Sequence, residues 1–489
     1  MLKRQMRMLK ELMSKRLDHR GLSAKISLTL GYSPYADVMI PSVRIEKRVY
    51  AAEQNFIPFL FSPIFQEKRY LNEFGEVTDV EKFIAGYQQT IPVHLDLTTA
   101  GGVWVFVSRT GAGKSFTIRG IIGDLHEAGY GIFIVDVKNE YISSLKPIQP
   151  KFYRILPPWR RPKALPIVPL FPAYLRKKGI PEKYICQINT KDMKVEDMLT
   201  ALKLKHGYPQ TDILLTVWTD ENPPKSIDDL IGRVSNVNAD QILQKYLPEG
   251  AKLHPFAQRT QESLIRSLVV LKSQKVFGSD YPFDVVKLLR DGYIPVLCLN
   301  EDIGKKFYHS TYIAVLVRKI YEACKYIGRR IVFVFEDAGS YAIPNRENPS
   351  CKSLILDQLI PVGRQRRLYT FASIQNLGQI PQNALNQARA FIFFGVISGL
   401  DLKTIADIRK KKPSLVINKI DELNQLVNVA KKRGFIPPDF RHVILWDDMD
   451  NAKIGFSTAP CSAHKEQEPE KSSLKNSENY LNNSEWYSE

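Results

Sequence analysis

Two glycines, a lysine and a serine closely following an apolar run form a combination suited to holding phosphate. Residues 103–115 read Val-Trp-Val-Phe-Val-Ser-Arg-Thr-Gly-Ala-Gly-Lys-Ser. Gly111 and Gly113 permit positive φ and close approach of the main chain, so the amides of a loop made of Ser108, Arg109, Thr110, Gly111, Ala112 and Gly113 can turn inward on an anion. Lys114, Ser115 and Phe116 open the helix whose dipole lies behind it. Lys114 supplies a point charge for the β and γ phosphates, and the Ser115 hydroxyl is placed to ligate Mg²⁺. ATP and Mg²⁺ are therefore the expected ligands. Ser108 stands where a strict loop of this kind begins with glycine, and its small size limits the effect of the change. The same letters in a surface turn would lack the strand before and the helix after.

Hydrolysis needs carboxylates beside the phosphates. Glu336 and Asp337 directly follow the apolar run Ile331 to Phe335. One acid of such a pair serves the Mg²⁺ shell, and the other orients or deprotonates the attacking water. Glu336, with Ser115, is the expected Mg²⁺ ligand, and the order of the two acids is the reverse of the usual Asp-Glu, so either could be the base. Gln375 ends the run Tyr369 to Ile374, and ligands of open α/β sheets gather at the carboxyl ends of strands. There it could bond the γ-phosphate or the lytic water. The bland readings are that acids end strands where the chain meets solvent, and that glutamine is a common loop residue.

These groups need a scaffold of buried parallel strands. Val103 to Val107, Ile132 to Val135, Ile294 to Cys298, Ile331 to Phe335, Tyr369 to Ile374 and Phe391 to Val396 are predominantly apolar and alternate with helical stretches at Ser115 to His126 and Ser310 to Tyr326. That pattern predicts an α/β fold around a parallel sheet covered on both faces, the P-loop NTPase core of RecA-like type. The expected organisation is a basic amphipathic helix at 1–21, a small β-rich module at 22–98, and the core at 99–150 and 290–455. A mostly helical insertion without apolar strands is expected at 151–289, with prolines at its start and a helix near Gln261 to Lys272. The Glu-rich, apolar-poor tail at 456–489 is expected to be disordered.

The formal charge of +18 is concentrated in part at the start, where residues 1–25 hold eight Lys and Arg against Glu11 and Asp18. Such a field suits a polyanion, DNA above all, although a lysine-rich surface also serves solubility alone. Five scattered cysteines and eight dispersed histidines offer neither a disulfide framework nor structural zinc, which fits a reducing cytoplasm. No apolar run reaches the length of a membrane span, and the basic N-terminus lacks the pattern of a secretory signal.

Four blocks in order give a specific resemblance. They are Ser108 to Ser115; Ile132 to Tyr141, ending Asp-Val-Lys-Asn-Glu-Tyr; Val332 to Ala338; and Val362 to Gln375, beginning Val-Gly-Arg-Gln-Arg-Arg. Over roughly residues 92 to 400 the chain resembles the HerA/FtsK superfamily of P-loop DNA-pumping ATPases, and HerA-type proteins in particular. The resemblance implies that Asp136 and Glu140 lie near the nucleotide. It also implies that Arg364, or failing that Arg367, enters the site of the next subunit as an arginine finger. The implied activity is DNA-stimulated ATP hydrolysis by a homo-oligomeric, hexameric ring that translocates or unwinds DNA without reading its sequence. A nuclease is the partner implied, in the processing of DNA ends. A viral genome-packaging or plasmid-transfer ATPase of the same superfamily and a non-motor ATP-dependent switch are the alternatives.

Overall fold

The computed structural model describes residues 102–108, 113–150, 161–176, 180–219, 221–246, 253–299, 306–340, 368–380, 382–394, 398–408 and 460–463, with a few single positions between 410 and 418. It also describes the backbone of 56–63, 90–96, 442–447 and 452–457. The basic N-terminal stretch, Arg109 to Ala112, Arg364 and Arg367, and the tail from 464 on lie outside the described residues. The start of the stretch expected to be disordered is instead ordered: 456 and 457 end a strand and 460–463 are buried.

Twelve strands form one sheet. In chain order they are β1 (Phe56–Pro63), β2 (Thr90–Asp96), β3 (Gly102–Val107), β4 (Gly131–Asp136), β5 (Ile167–Pro172), β6 (Ile185–Cys186), β7 (Ile294–Cys298), β8 (Ile331–Phe335), β9 (Leu368–Ile374), β10 (Ala388–Phe394), β11 (His442–Asp447) and β12 (Ala452–Ser457). Their spatial order is β2-β1-β12-β11-β10-β3-β9-β8-β4-β7-β5-β6. Every pairing from β10 to β6 is parallel. From β10 to β2 every pairing is antiparallel, so the two strands from the 22–98 stretch extend the same sheet as the core.

Alternation along the central strands divides the apolar side chains between two faces. Trp104 and Phe106 of β3, with Ile132 and Ile134 of β4, join one cluster with Ile118, Ile121, Ile122 and Leu125 of helix α1 (Lys114–Glu127). Val103, Val105, Val107, Phe133 and Val135 face the other way. Burial on both faces is what continuous apolar strands require.

The second face is covered by the helices between β6 and β8. These are α2 (Val195–Ala201), α3 (Pro209–Val217), α4 (Ile227–Asn236), α5 (Ala239–Leu243), α6 (Leu253–Ser273), α7 (Val285–Arg290) and α8 (Lys306–Ile327). Met198, Leu214, Leu230, Leu264 and Leu268 of this group belong to the same buried cluster as β3 and β4, so the helical stretch shares the core of the sheet. The fully buried Asp197 of α2 is paired with Arg318 of α8, which fixes the two helices against each other.

The start of the 151–289 stretch departs from expectation, because β5 and β6 are strands of the central sheet and the helices begin only at Val195. β5 reads Ile-Val-Pro-Leu-Phe-Pro. It pairs with β7 over residues 167–170, while β6 meets only Phe171 and Pro172. A strand partnered along one side for most of its length tolerates proline, whose missing amide would break a ladder in the sheet interior. The same prolines make the segment look like a loop in sequence.

Candidate active site

Parallel pairing brings the carboxyl ends of β3, β9, β8 and β4 to one edge, and the register fixes what meets there. Val107 is level with Ile374, and the Ser108 amide donates to the Ile374 carbonyl at 3.1 Å, which sets Gln375 beside the start of the phosphate loop. Phe335 is level with both Ala372 and Val135, and the Glu336 amide donates to the Val135 carbonyl at 3.0 Å. Glu336 and Asp136 therefore leave adjacent strands side by side.

Gly113 precedes α1 with φ 100°, a conformation that a side chain would strain, and it has no side chain with which to cap the first amides of the helix. Amides in the first turn of a helix are the groups with which such a site binds an anion. The Lys114 ammonium donates to the Ser108 carbonyl at 2.5 Å, closing the two ends of the loop on each other. Burial pushes its pKa down, and the nearby charges of Glu336 and Asp337 pull it back up. Lys114, Glu336 and Asp337 thus lie within electrostatic reach of one another.

The two acids have different surroundings. Glu336 is 8 % exposed, and its Oε1 accepts a hydrogen bond from the Tyr141 hydroxyl at 2.5 Å. Burial raises its pKa, and the Tyr141 bond opposes the rise. Asp337 is more open and has φ 51°, a left-handed conformation that aspartate tolerates better than most residues and that turns its carboxylate out of the strand direction. One of its oxygens accepts from Gln375 Nε2 at 3.4 Å, and the other lies 3.2 Å from Lys138 Nζ. Gln375 is itself held by Gln379, whose Oε1 accepts from the Gln375 amide at 2.9 Å.

Asp136 is buried beneath this layer. Its carboxylate accepts from the amides of Lys138 at 3.1 Å and Tyr141 at 2.8 Å, so its visible work is to shape the turn that carries Glu140 and Tyr141. Burial raises its pKa, and the backbone bonds hold it down. The Glu140 carboxylate acts on Lys114 at a distance, while its carbonyl accepts from Arg119 Nη2 at 2.8 Å. Ser115 is partly exposed at the start of α1.

Three contributors carry no role in the sequence reading: Tyr141, Lys138 and Arg119. Arg119, fully buried on α1, spreads over the Tyr141 ring at 4.9 Å and donates to the carbonyls of Glu140 and Ala463, each at 2.8 Å. Residues 461–463 are buried in turn; the Cys461 carbonyl accepts from the amides of Ile148 and Lys163, and the Ala463 amide donates to Lys146. A strap from beyond β12 is thereby tied behind the phosphate-loop helix. The available signal was an arginine set in the apolar stripe Ile118 to Ile122.

Tyr141→Phe keeps the ring beneath Arg119 and deletes only the hydroxyl. Losing one partner of a buried carboxylate is expected to lower the unfolding free energy by about 1–3 kcal/mol. Urea unfolding of the two proteins measures this, and unchanged midpoints would show that the Tyr141 bond contributes nothing.

As for Mg²⁺, no group of three or more His, Cys, Asp or Glu that could hold a metal is found among the described residues. Mg²⁺ in nucleotide sites is held by one or two carboxylates with waters and substrate phosphates, so the hard oxygen donors of Ser115 and Glu336 suit it without such a cluster.

The strand order β10-β3-β9-β8-β4, with a phosphate loop after β3, acids after β8 and one strand between them, defines a P-loop NTPase. Residues 79–320 match the family model described as "Helicase HerA, central domain", so the central part of the chain is similar to that family. No curated protein matches the sequence. Among solved structures the chain is similar to VirB4 of Thermoanaerobacter pseudethanolicus, at 12 % identity and TM-score 0.42, over 67 % of this chain and 88 % of that one. It is similar to the bacterial conjugative coupling protein TrwBdeltaN70 at 14 % identity and TM-score 0.45, over 85 % and 96 %. The genome packaging NTPase B204 from Sulfolobus turreted icosahedral virus 2, in complex with ATP-gammaS, is similar at 11 % identity and TM-score 0.30, over 74 % and 98 %. Among the described residues no helix is long and apolar enough to cross a membrane.

Proposed function

We propose that the chain is an Mg²⁺-dependent ATPase that moves DNA through a ring of identical subunits. The observation that carries the reading is the convergence of Lys114, Glu336, Asp337 and Gln375 at one edge of the sheet, linked by the Gln375–Asp337 bond and by the mutual influence of Lys114 and the two acids. In this reading Lys114 and the amides of the phosphate loop bind the triphosphate. Ser115 and Glu336 hold Mg²⁺, which when bound neutralises charge on the β and γ oxygens. Asp337 is the more exposed of the two acids and takes a proton from the attacking water. Gln375 orients that water and reports its presence to the chain beyond β9. Tyr141 keeps the Glu336 carboxylate in place.

Arg364 of a neighbouring subunit, with Arg367 as the second choice, completes the site by stabilising charge on the transferring phosphoryl group, which makes ring assembly a condition of fast turnover. The +18 charge supports a DNA substrate, gripped through its phosphates. The N-terminal basic stretch and the helices α2 to α6 are accessory in this reading, contacting DNA ends or a partner such as a nuclease, in a cytoplasmic setting.

Steady-state ATP turnover with and without DNA tests the reading. DNA is expected to raise turnover, and a footprint of 6–10 phosphate contacts is expected to weaken DNA affinity roughly 10³- to 10⁵-fold between 50 and 200 mM salt. Turnover indifferent to DNA, together with a flat salt response, would favour a nucleotide-operated switch.

A further inference from the structure

Lys138 is a cation at the candidate site with no part in the scheme above. The turn that bears it is fixed: the Lys138 amide is bonded to Asp136, and the next residue, Asn139, is held in the left-handed region at φ 55°. From this rigid base the ammonium reaches across to Asp337 Oδ2 at 3.2 Å, and neither side chain of the pair is fully buried, at 32 % and 19 % exposed. The same charge bears on Lys114, whose pKa is lowered first by burial and also by Lys138. Two ammonium groups therefore bear on Asp337, one from the start of α1 and one from the turn after β4.

We propose that Lys138 is a second phosphate-binding cation that changes partner, holding Asp337 when no terminal phosphate is present and the γ-phosphate when a nucleoside triphosphate is bound. The inference rests on the ATPase reading and deepens it. A terminal phosphate carries more charge and more acceptor oxygens than a single carboxylate, so it outcompetes Asp337 for an ammonium that both can reach. Lysine suits the exchange because its compact charge sits on a flexible stem with rotatable donors. Release of Asp337 then coincides with arrival of the phosphate, leaving the carboxylate bonded to Gln375 and open to water. A diphosphate lacks the group that draws Lys138 away, so discrimination between triphosphate and diphosphate falls on this residue. A static, half-exposed ion pair would instead be worth about 0–1 kcal/mol and be indifferent to nucleotide.

Calorimetric titration of the full chain with a non-hydrolysable ATP analogue and with ADP, in Mg²⁺, separates the cases. Lys138→Met is expected to weaken the analogue roughly tenfold to a hundredfold, the worth of a charge-assisted bond, and to leave ADP within about twofold. Lys138→Arg should retain most of the analogue affinity. Asp337→Asn, which removes the competitor, should tighten the analogue, and the gain should shrink when combined with Lys138→Met, because the two residues act on one exchange. Equal loss for both nucleotides, no loss for either, or full additivity of the two substitutions would overturn the proposal while leaving the ATPase reading intact. Failure of the unsubstituted chain to bind either nucleotide would remove both.

Discussion

Lys114→Ala is expected to abolish ATP turnover, lowering it roughly a thousandfold or more, while the protein remains folded. The ammonium closes on the Ser108 carbonyl at the start of the loop, and it lies within reach of Glu336 and Asp337. Its removal takes away positive charge from the place where the phosphoryl group gains negative charge, in surroundings buried enough that solvent does not compensate. Little of the fold depends on it. The bond it makes goes to a main-chain carbonyl at the other end of the loop, and α1 is held by Ile118, Ile121, Ile122 and Leu125. Steady-state turnover with a circular-dichroism melt on the same sample checks both halves. A variant that hydrolyses at the original rate would remove the phosphate loop from the mechanism.

Asp337→Asn is the second large effect. Asparagine preserves volume, tolerates the left-handed backbone at φ 51° and can still meet Gln375, but it cannot take a proton. Turnover is expected to fall about 10²- to 10⁴-fold, the usual weight of a general base, with triphosphate binding retained. Glu336→Gln serves as the comparison. If Glu336 holds Mg²⁺, its loss should weaken Mg²⁺-dependent nucleotide binding, whereas a Glu336 variant that binds normally and is dead in turnover, beside an active Asp337→Asn, would exchange the roles of the two acids. The environments argue for the assignment given: Glu336 is buried and pinned by Tyr141, and Asp337 is the more exposed.

The parts of this fold that could be read from sequence are those in which local pattern and tertiary role coincide. β8 spans Ile331–Phe335 and β7 Ile294–Cys298, as expected, because each is a continuous apolar run of the kind a sheet buried on both faces requires. β5 was hidden by Pro169 and Pro172, whose acceptability depends on how little of that strand has neighbours on both sides. β11 and β12 join the sheet at the antiparallel side of β10, a pairing that no local signal specifies. The site divides in the same way. Glu336, Asp337 and Gln375 follow strand-like runs and Lys114 ends a glycine loop, so all four are visible one by one. Tyr141 matters through a carboxylate 195 residues away, and Lys138 through the acid that follows it, so neither could be assigned before the register of β4 against β8 was known.

The strap behind α1 bears on the order of events during synthesis. Arg119 is sealed inside the protein and completes its bonds with the Ala463 carbonyl, 344 positions further along the chain. While the polypeptide is still emerging from the ribosome, that guanidinium lacks one of the partners that make its burial tolerable, since an incompletely paired buried charge is costly. Completion of the packing behind the phosphate-loop helix should therefore come late, after position 463 has cleared the exit tunnel.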